Sequence, residues 1–389
     1  MTALSPVDPI GLQTMLSDDE QAITETVREF VRSAVLDGVS DWFEEGRFPA
    51  RELAGPLGDI GLLGMHLEGY GCAATSATAY GLACLELEAG DSGLRSFVSV
   101  QGSLAMFPIR TYGSEEQRQQ WLPGMASGEY IGCFGLTEPD SGSDPASMRT
   151  SARRDGPDWI LNGVKTWITN GSIADVAVVW ARTDEGVRGF VVPSGLPGFE
   201  QREIHHKMSL RASATGELVF DDVRLPADAV LPGVVGMRGP LSCLNEARFG
   251  ILFGALGAGR ASFEAALDYA GSRTQFGKPI AGFQLTQQKF ADMAVRLSQG
   301  LTLALHLSRL KDAGQLRPEQ VSIGKLANVR AAIEMCRTAR TILGANGISL
   351  EYPVIRHMTN LESVLTYEGT EEVHALVIGK ALTGVAAFS

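Results

Sequence analysis

Tyr367-Glu368-Gly369-Thr370 sits between two helical patterns. Upstream, Val354, Met358, Leu361 and Leu365 recur at helical spacing, and downstream Val373, Leu376, Val377, Ala381 and Val385 do the same. Gly369 breaks the run. Thr370, followed by Glu371 and Glu372, supplies the capping hydroxyl and acidic first turn of a helix start. Glu368 is thereby set on a short turn between packed helices, beside an aromatic. Partial desolvation there would raise its pKa toward neutrality and make it a usable base; a solvated turn glutamate is the plain alternative.

Working outward, helical patterns fill the chain from Leu241 onward. Gln284 to Leu310 and Pro318 to Leu343 are each about seven turns long, the second with Pro at its first position. Joined by the Lys311–Arg317 loop, they make an antiparallel pair. With a helix around residues 246–271 and the one after Gly369 they predict a four-helix bundle. Gly257-Ala258-Gly259 lies inside a helical pattern and lacks a third glycine, so it reads as helix packing and not as a dinucleotide loop.

Before this bundle the period changes. Trp159-Ile160-Leu161 is closed by Asn162-Gly163, a hairpin signal. Runs at 165–169, 176–180, 189–192 and 217–220 are β-rich and joined by Gly, Pro and Asp loops. Earlier still, Ser17-Asp18-Asp19-Glu20 is a capping box opening a helix with the apolar face Ile23, Val27, Phe30, Val31 and Val35. Residues 1–16 read as an extended arm. The expectation is an α+β chain: helical over 1–129, a β domain over 130–240, and a helical bundle over 241–389.

A length of 389 residues exceeds what one hydrophobic core usually serves. The net charge of -12, with no basic stripe, argues against nucleic acid. Residues 1–45 alone hold ten acids against two bases, with apolar residues interleaved, which describes a solvated helical face. The five cysteines are scattered with no metal-ligand spacing, as expected of a reduced, intracellular protein without a bound metal. The longest apolar run, Gly250 to Gly259, is half a membrane span, so no membrane insertion is expected. No basic-plus-apolar leader opens the chain, so the expected location is the cytoplasm, or the mitochondrial matrix if a transit peptide has been removed.

Three further segments carry polar chemistry. Cys133-Phe134-Gly135-Leu136-Thr137-Glu138-Pro139-Asp140-Ser141-Gly142-Ser143-Asp144-Pro145 has two prolines and two glycines that fix the backbone. Its amides and hydroxyls could meet a ring edge or phosphate, or it is a turn-rich connection. In Ser272-Arg273-Thr274-Gln275-Phe276-Gly277-Lys278-Pro279-Ile280, the fork of Arg273 suits a pyrophosphate. In the segment from Glu88 to Gln101, Arg95 is followed by serines one and four residues on, a clamp for a terminal carboxylate. An ion pair of Arg95 with Glu88 or Asp91 is the plain reading.

Together these segments, in order from about residue 8 to 388, resemble the acyl-CoA dehydrogenase family. The continuation Glu372 to Gly384 and the pattern around Glu88, Asp91, Arg95 and Ser99 are similar to its glutaryl-CoA-oxidising branch. The resemblance implies an FAD enzyme with Glu368 as the base. Phe134, Leu136, Thr137 and Gly142 would contact the flavin, with Ser143 near the CoA chain and Thr370 also at the cofactor. Trp167, Ile168 and Thr169 would cover the other side of the ring, although Trp167 by itself reads as core.

Arg95 and Ser99 would take the substrate carboxylate, with Glu88 and Ser96 beside them. Ser209 to Gly216 also resembles a substrate-side segment. Arg248 would lie near the acyl-CoA or brace the base; a helix-surface arginine is its alternative. Arg273, Phe276, Gln284, Gly344 and Gly347 would reach the FAD of a neighbouring subunit, which implies a homotetramer built as a dimer of dimers. Ala345 stands where the family more often has glycine. The implied reaction converts glutaryl-CoA to crotonyl-CoA and CO2, with electrons passed to an electron-transferring flavoprotein. Oxidation without decarboxylation, another short-chain acyl-CoA, an oxidase and a non-catalytic acyl-CoA-binding relative are the alternatives.

Overall fold

The computed structural model describes residues 4–387; the outermost ends of the first and third expected segments, 1–3 and 388–389, lie outside the described residues. The first segment holds α1 (Asp18–Ala34), α2 (Val39–Glu45), α3 (Ala50–Asp59), α4 (Ala77–Gly90), α5 (Ser92–Ser99), α6 (Phe107–Tyr112) and α7 (Glu115–Ser127). A two-residue hairpin, β1 (Glu68–Gly69) with β2 (Cys72–Ala73), interrupts the helices, and a π-helical stretch, Val100–Met106, links α5 to α6. The capping box at α1 is formed in both directions: Ser17 Oγ accepts from the Glu20 amide, and the Glu20 carboxylate accepts from the Ser17 amide. The arm before it is not wholly extended. Leu12–Met15 is a 3-10 turn, because the Asp8 carboxylate accepts from the Leu12 and Gln13 amides at 2.8 and 2.9 Å.

The middle segment is a seven-stranded sheet of β3 (Gly132–Gly135), β4 (Ser151–Asp155), β5 (Asp158–Thr169), β6 (Val176–Thr183), β7 (Gly186–Pro193), β8 (Phe199–Glu203) and β9 (Thr215–Leu225). The order is β3-β6-β4-β5-β9-β8, with β7 paired to β6. The hairpin expected at Asn162-Gly163 is not there. The chain turns at Gly156-Pro157, where Asp155 opposes Asp158, and β5 runs straight through Asn162-Gly163 with a register shift against β9. Gly163 serves close approach: a Cβ there would lie 2.4 Å from Thr150 Oγ1. Asn162 bridges to β9 through Asp222, its side chain both donating to the carboxylate and accepting from the amide at 2.9 Å.

The last segment holds α8 (Arg238–Ser272), a short hairpin of β10 (Thr274–Gln275) and β11 (Lys278–Pro279), α9 (Gln284–Asp312), α10 (Pro318–Leu343), α11 (Pro353–Thr366) and α12 (Glu371–Thr383). α8 is the axis of the molecule: its buried face packs on α4, α10, α9 and α11. A Cβ on Gly257 would sit 1.9 Å from the Leu85 carbonyl, so the α4–α8 contact requires a glycine there. α12 lies against α10, and the α11–α12 turn is carried into the region between α5, α8 and α10. This arrangement of helical, sheet and helical segments is the layout expected from the sequence.

Candidate active site

Glu368 occupies the α11–α12 turn with a left-handed backbone (φ 54°), and Thr370 caps α12 by accepting from the Val373 amide. The turn is tied down through its carbonyls. Arg248 Nε on α8 donates to the Glu368 carbonyl at 2.6 Å, with Nη1 on Asn245 Oδ1. Lys325 Nζ on α10 donates to the carbonyls of Tyr367 and, at 2.7 Å, Gly369. The carboxyl is treated differently. The residue is half-buried, yet Oε2 is fully enclosed and has no hydrogen-bond partner. Burial raises its pKa above the usual carboxylate range; the positive charges of Arg95, Lys325 and Arg248 act against that rise but do not overcome it. Burial, with some help from Lys325 and Arg248, pushes His374 down to about 3, so it is neutral; its Nδ1 meets Ser322 Oγ at 3.0 Å.

Arg95, whose charge reaches this carboxyl, is 1% exposed although charged. Its Nε donates to Glu88 Oε2 at 2.6 Å, its Nη2 donates to the Tyr367 hydroxyl, and its guanidinium lies 5.7 Å from the Tyr367 ring centre. Ser92 Oγ donates to the other Glu88 oxygen at 2.8 Å. Both oxygens of Glu88 are thus bonded within the chain, where the carboxylate holds Arg95. Asp91 is not the partner of Arg95; it receives Arg356 Nη1 and Asn360 Nδ2 and caps α5 at the Gly93 amide. Ser96 Oγ reaches the Tyr367 hydroxyl at 3.3 Å, while Ser99 Oγ is enclosed without a partner. The Ser209–Gly216 segment abuts this group, since a Cβ on Gly93 would meet the Ala212 carbonyl at 1.9 Å.

Phe134, Leu136 and Thr137 are brought beside Trp167, Ile168 and Thr169 by two bonds. The Thr166 amide donates to the Thr137 carbonyl at 2.9 Å, and Lys165 Nζ donates to the Leu136 carbonyl at 3.0 Å. Lys165 also binds Glu138, whose carboxylate accepts from the Arg149 and Thr150 amides, so the loop's shape is set from below. Trp167 is not core: it is 62% exposed with φ 58°. Lys165 and Ile168 both point inward, and the register shift between them turns Trp167 out. Gly142 and Ser143 are exposed, and nothing lies within 4 Å of where a Gly142 Cβ would be.

Arg273 and Phe276 in the β10–β11 segment, Gln284 at the start of α9 and Gly344 just past α10 are all exposed, and Gly347 is buried. Phe276, 94% exposed at φ 51°, tips the β10–β11 hairpin. Among the described residues no hydrogen bond joins this group to the loop at 134–143 or to Trp167. Lys325, Glu138 and Lys165 escaped the sequence reading. Lys325 had a signal: it falls on the buried stripe Val321, Lys325, Asn328, Val329 and Ala332, where a charge is out of place.

Models of the N-terminal, middle and C-terminal domains of acyl-CoA dehydrogenase match residues 17–129, 133–223 and 235–383. The chain is 36% identical over 371 residues to the mitochondrial short-chain specific acyl-CoA dehydrogenase of Bos taurus, covering 93% of this chain and 90% of that one. Among solved structures it is similar to glutaryl-CoA dehydrogenase from Mycobacterium smegmatis, at 66% identity and TM-score 0.98 over all of both chains. A second such structure from that organism, in complex with FADH2, matches at 61% identity and TM-score 0.98. The chain belongs to the acyl-CoA dehydrogenase family, and it is an oxidoreductase of that family.

Proposed function

We propose that this acyl-CoA dehydrogenase oxidises and decarboxylates glutaryl-CoA, giving crotonyl-CoA and CO2, with FAD as cofactor. The observation that carries the reading is the pairing, beside Tyr367, of a carboxyl oxygen enclosed without a partner and an enclosed guanidinium. An enzyme for an acyl chain that ends in a methyl group has no use for a buried guanidinium facing that end, and burying one is costly. The likeness to two glutaryl-CoA dehydrogenase structures supports the same substrate.

The residues fit a flavin. An exposed Trp167 turned out by a bulge, the half-buried Thr137 and Thr169, and the open space at Gly142 offer a ring face and polar edge contacts. Arg273 and Phe276 stand free for the pyrophosphate and adenine of a cofactor held by a neighbouring copy, which would make the enzyme an oligomer of at least two copies, consistent with a homotetramer. When bound, FAD supplies the hydride acceptor for the substrate β-carbon. Glu368 removes the α-proton; with its pKa raised it is basic enough to do so and keeps the proton afterwards. The Glu368 amide is a donor for the charge that develops on the thioester oxygen. Arg95 and the unpartnered Ser99 hydroxyl hold the terminal carboxylate until it leaves as CO2. Protonated Glu368 then returns its proton to the product carbanion. Electrons would pass to an electron-transferring flavoprotein. No helix among the described residues is long and apolar enough to cross a membrane.

The test is an anaerobic titration with glutaryl-CoA, following flavin absorbance and assaying CO2 and acyl product after an electron acceptor is added. Bleaching with CO2 and crotonyl-CoA is expected. Bleaching with glutaconyl-CoA alone would remove the decarboxylation, and an unbleached flavin would remove the substrate.

A further inference from the structure

Lys325 is the one charged residue on the buried face of α10, and it is 1% exposed. Such a side chain would ordinarily be matched by a carboxylate. Here its hydrogen bonds go to two backbone carbonyls, those of Tyr367 and Gly369, the residues immediately before and after Glu368. Glu368 itself has left-handed backbone geometry, which a residue with a long side chain adopts only when its surroundings hold it there. Arg248 takes the third carbonyl of the turn.

We propose that Lys325 is a positioning residue for the base: by gripping the carbonyls on both sides of Glu368 it fixes the strained turn that aims the carboxylate, and its charge favours the ionised form. The inference rests on the reading of Glu368 as the base. The grip also explains why a carboxyl ringed by three cations has no bond from any of them. Lys325 and Arg248 are committed to the backbone and Arg95 to Glu88 and Tyr367, so the carboxyl is left free to take a proton from carbon. The ionisable groups facing Lys325 are Glu368 and Tyr367 on the turn, Arg95 from α5, Arg248 from α8 and His374 from α12. Burial, reinforced by Arg248 and Arg95 and opposed by Glu368, lowers Lys325 to about 7.

The experiment compares wild type, K325M, K325Q, K325R and E368Q as purified flavoproteins. Flavin content, thermal midpoint, affinity for crotonyl-CoA and the single-turnover rate of flavin reduction by glutaryl-CoA are measured from pH 5.5 to 9. K325M should keep its flavin and bind crotonyl-CoA within a few-fold of wild type, yet reduce the flavin roughly 10²-fold more slowly. The acid limb of its rate profile should move to higher pH, because a cation near the base is gone. K325R, which keeps donors and charge, should restore the acid limb. A purely structural lysine would lower the midpoint without moving the profile, and that result in K325M overturns the proposal. If K325M does not accumulate, K325Q decides: it keeps a donor for the turn but not the charge, so its acid limb should still move to higher pH, and an acid limb left at the wild-type position overturns the proposal. Wild-type rates in E368Q would instead overturn the base assignment, and the role of Lys325 with it; K325M behaving as wild type beside an inert E368Q overturns Lys325 alone.

Discussion

Glu86 and Glu368 are both glutamates held among cations, and their pKa values are moved in opposite directions. Glu86, on α4, receives Arg260 through two bonds of 2.7 Å and Arg28 through bonds of 3.0 and 3.2 Å. Although its burial alone would raise its pKa, these partners hold it below the usual carboxylate range. Glu368 has Arg95, Lys325 and Arg248 nearby, but its Oε2 has no hydrogen-bond partner, and its pKa is raised. Proximity of charge is common to the two. What differs is whether a donor reaches the oxygens. α4 uses its glutamate to fasten α1 and α8 together; the α11–α12 turn holds its glutamate ready to react.

The comparison is broken most severely at Glu368. Glu368→Gln should leave FAD and crotonyl-CoA binding intact and slow flavin reduction by about 10²–10⁴-fold in a stopped-flow assay, the usual contribution of a positioned base. Glu86→Gln should leave those rates per folded molecule unchanged while costing about 3–5 kcal/mol of stability, because Arg260 is then buried with its partner gone. A thermal or denaturant melt reads this directly. A variant in which both glutamates matter only to stability would dissolve the distinction.

Substrate choice sharpens it further. Arg95→Ala alone would leave Glu88 uncompensated, so the cleaner variant pairs Arg95→Met with Glu88→Gln. Its kcat/KM for glutaryl-CoA should fall roughly 10²-fold relative to butyryl-CoA, the worth of charge-assisted hydrogen bonds to a carboxylate. Equal losses on both substrates would make Arg95 a structural residue.

These residues also show what the sequence could carry. The Glu368 turn, the start of α10 at Pro318, the capping box at Ser17 and the alternation of helical and β periods all depend on neighbours within a few residues, and local patterns report them. Asn162-Gly163 misled because the same dipeptide that turns a hairpin also suits a bulge, and Thr150, twelve residues away, decides which. The exposure of Trp167 is hidden in the sequence for a related reason: the bulge that turns it out depends on the register of β5 against β9. Sequence alone leaves Glu88 open between ligand and ion pair, since that depends on how far the Arg95 side chain reaches in three dimensions. Lys325 could have been seen as a charge on an apolar stripe, but its targets lie forty-two and forty-four residues further on.

The smallest expected effect is on stability against pH. Glu368 has a folded pKa above its unfolded value, so its contribution to stability is full at low pH and is lost as pH rises through the folded value. Glu86 has the opposite sign: its contribution is present above the unfolded carboxylate range and is lost on acidification through its lowered folded value. Glu368→Gln should therefore melt a few degrees above wild type at pH 8 and converge with it near pH 4.

The most direct test of the claim that an unpartnered, enclosed carboxyl is the base is the pH dependence of flavin reduction by glutaryl-CoA in a single turnover, for wild type and Glu368→Gln. The account predicts a wild-type rate that rises with pH through an apparent pKa clearly above the ordinary glutamate value of about 4.3, and a slow variant lacking that rise. A wild-type rate that is flat across the range, or a variant that keeps the same rise, would contradict it.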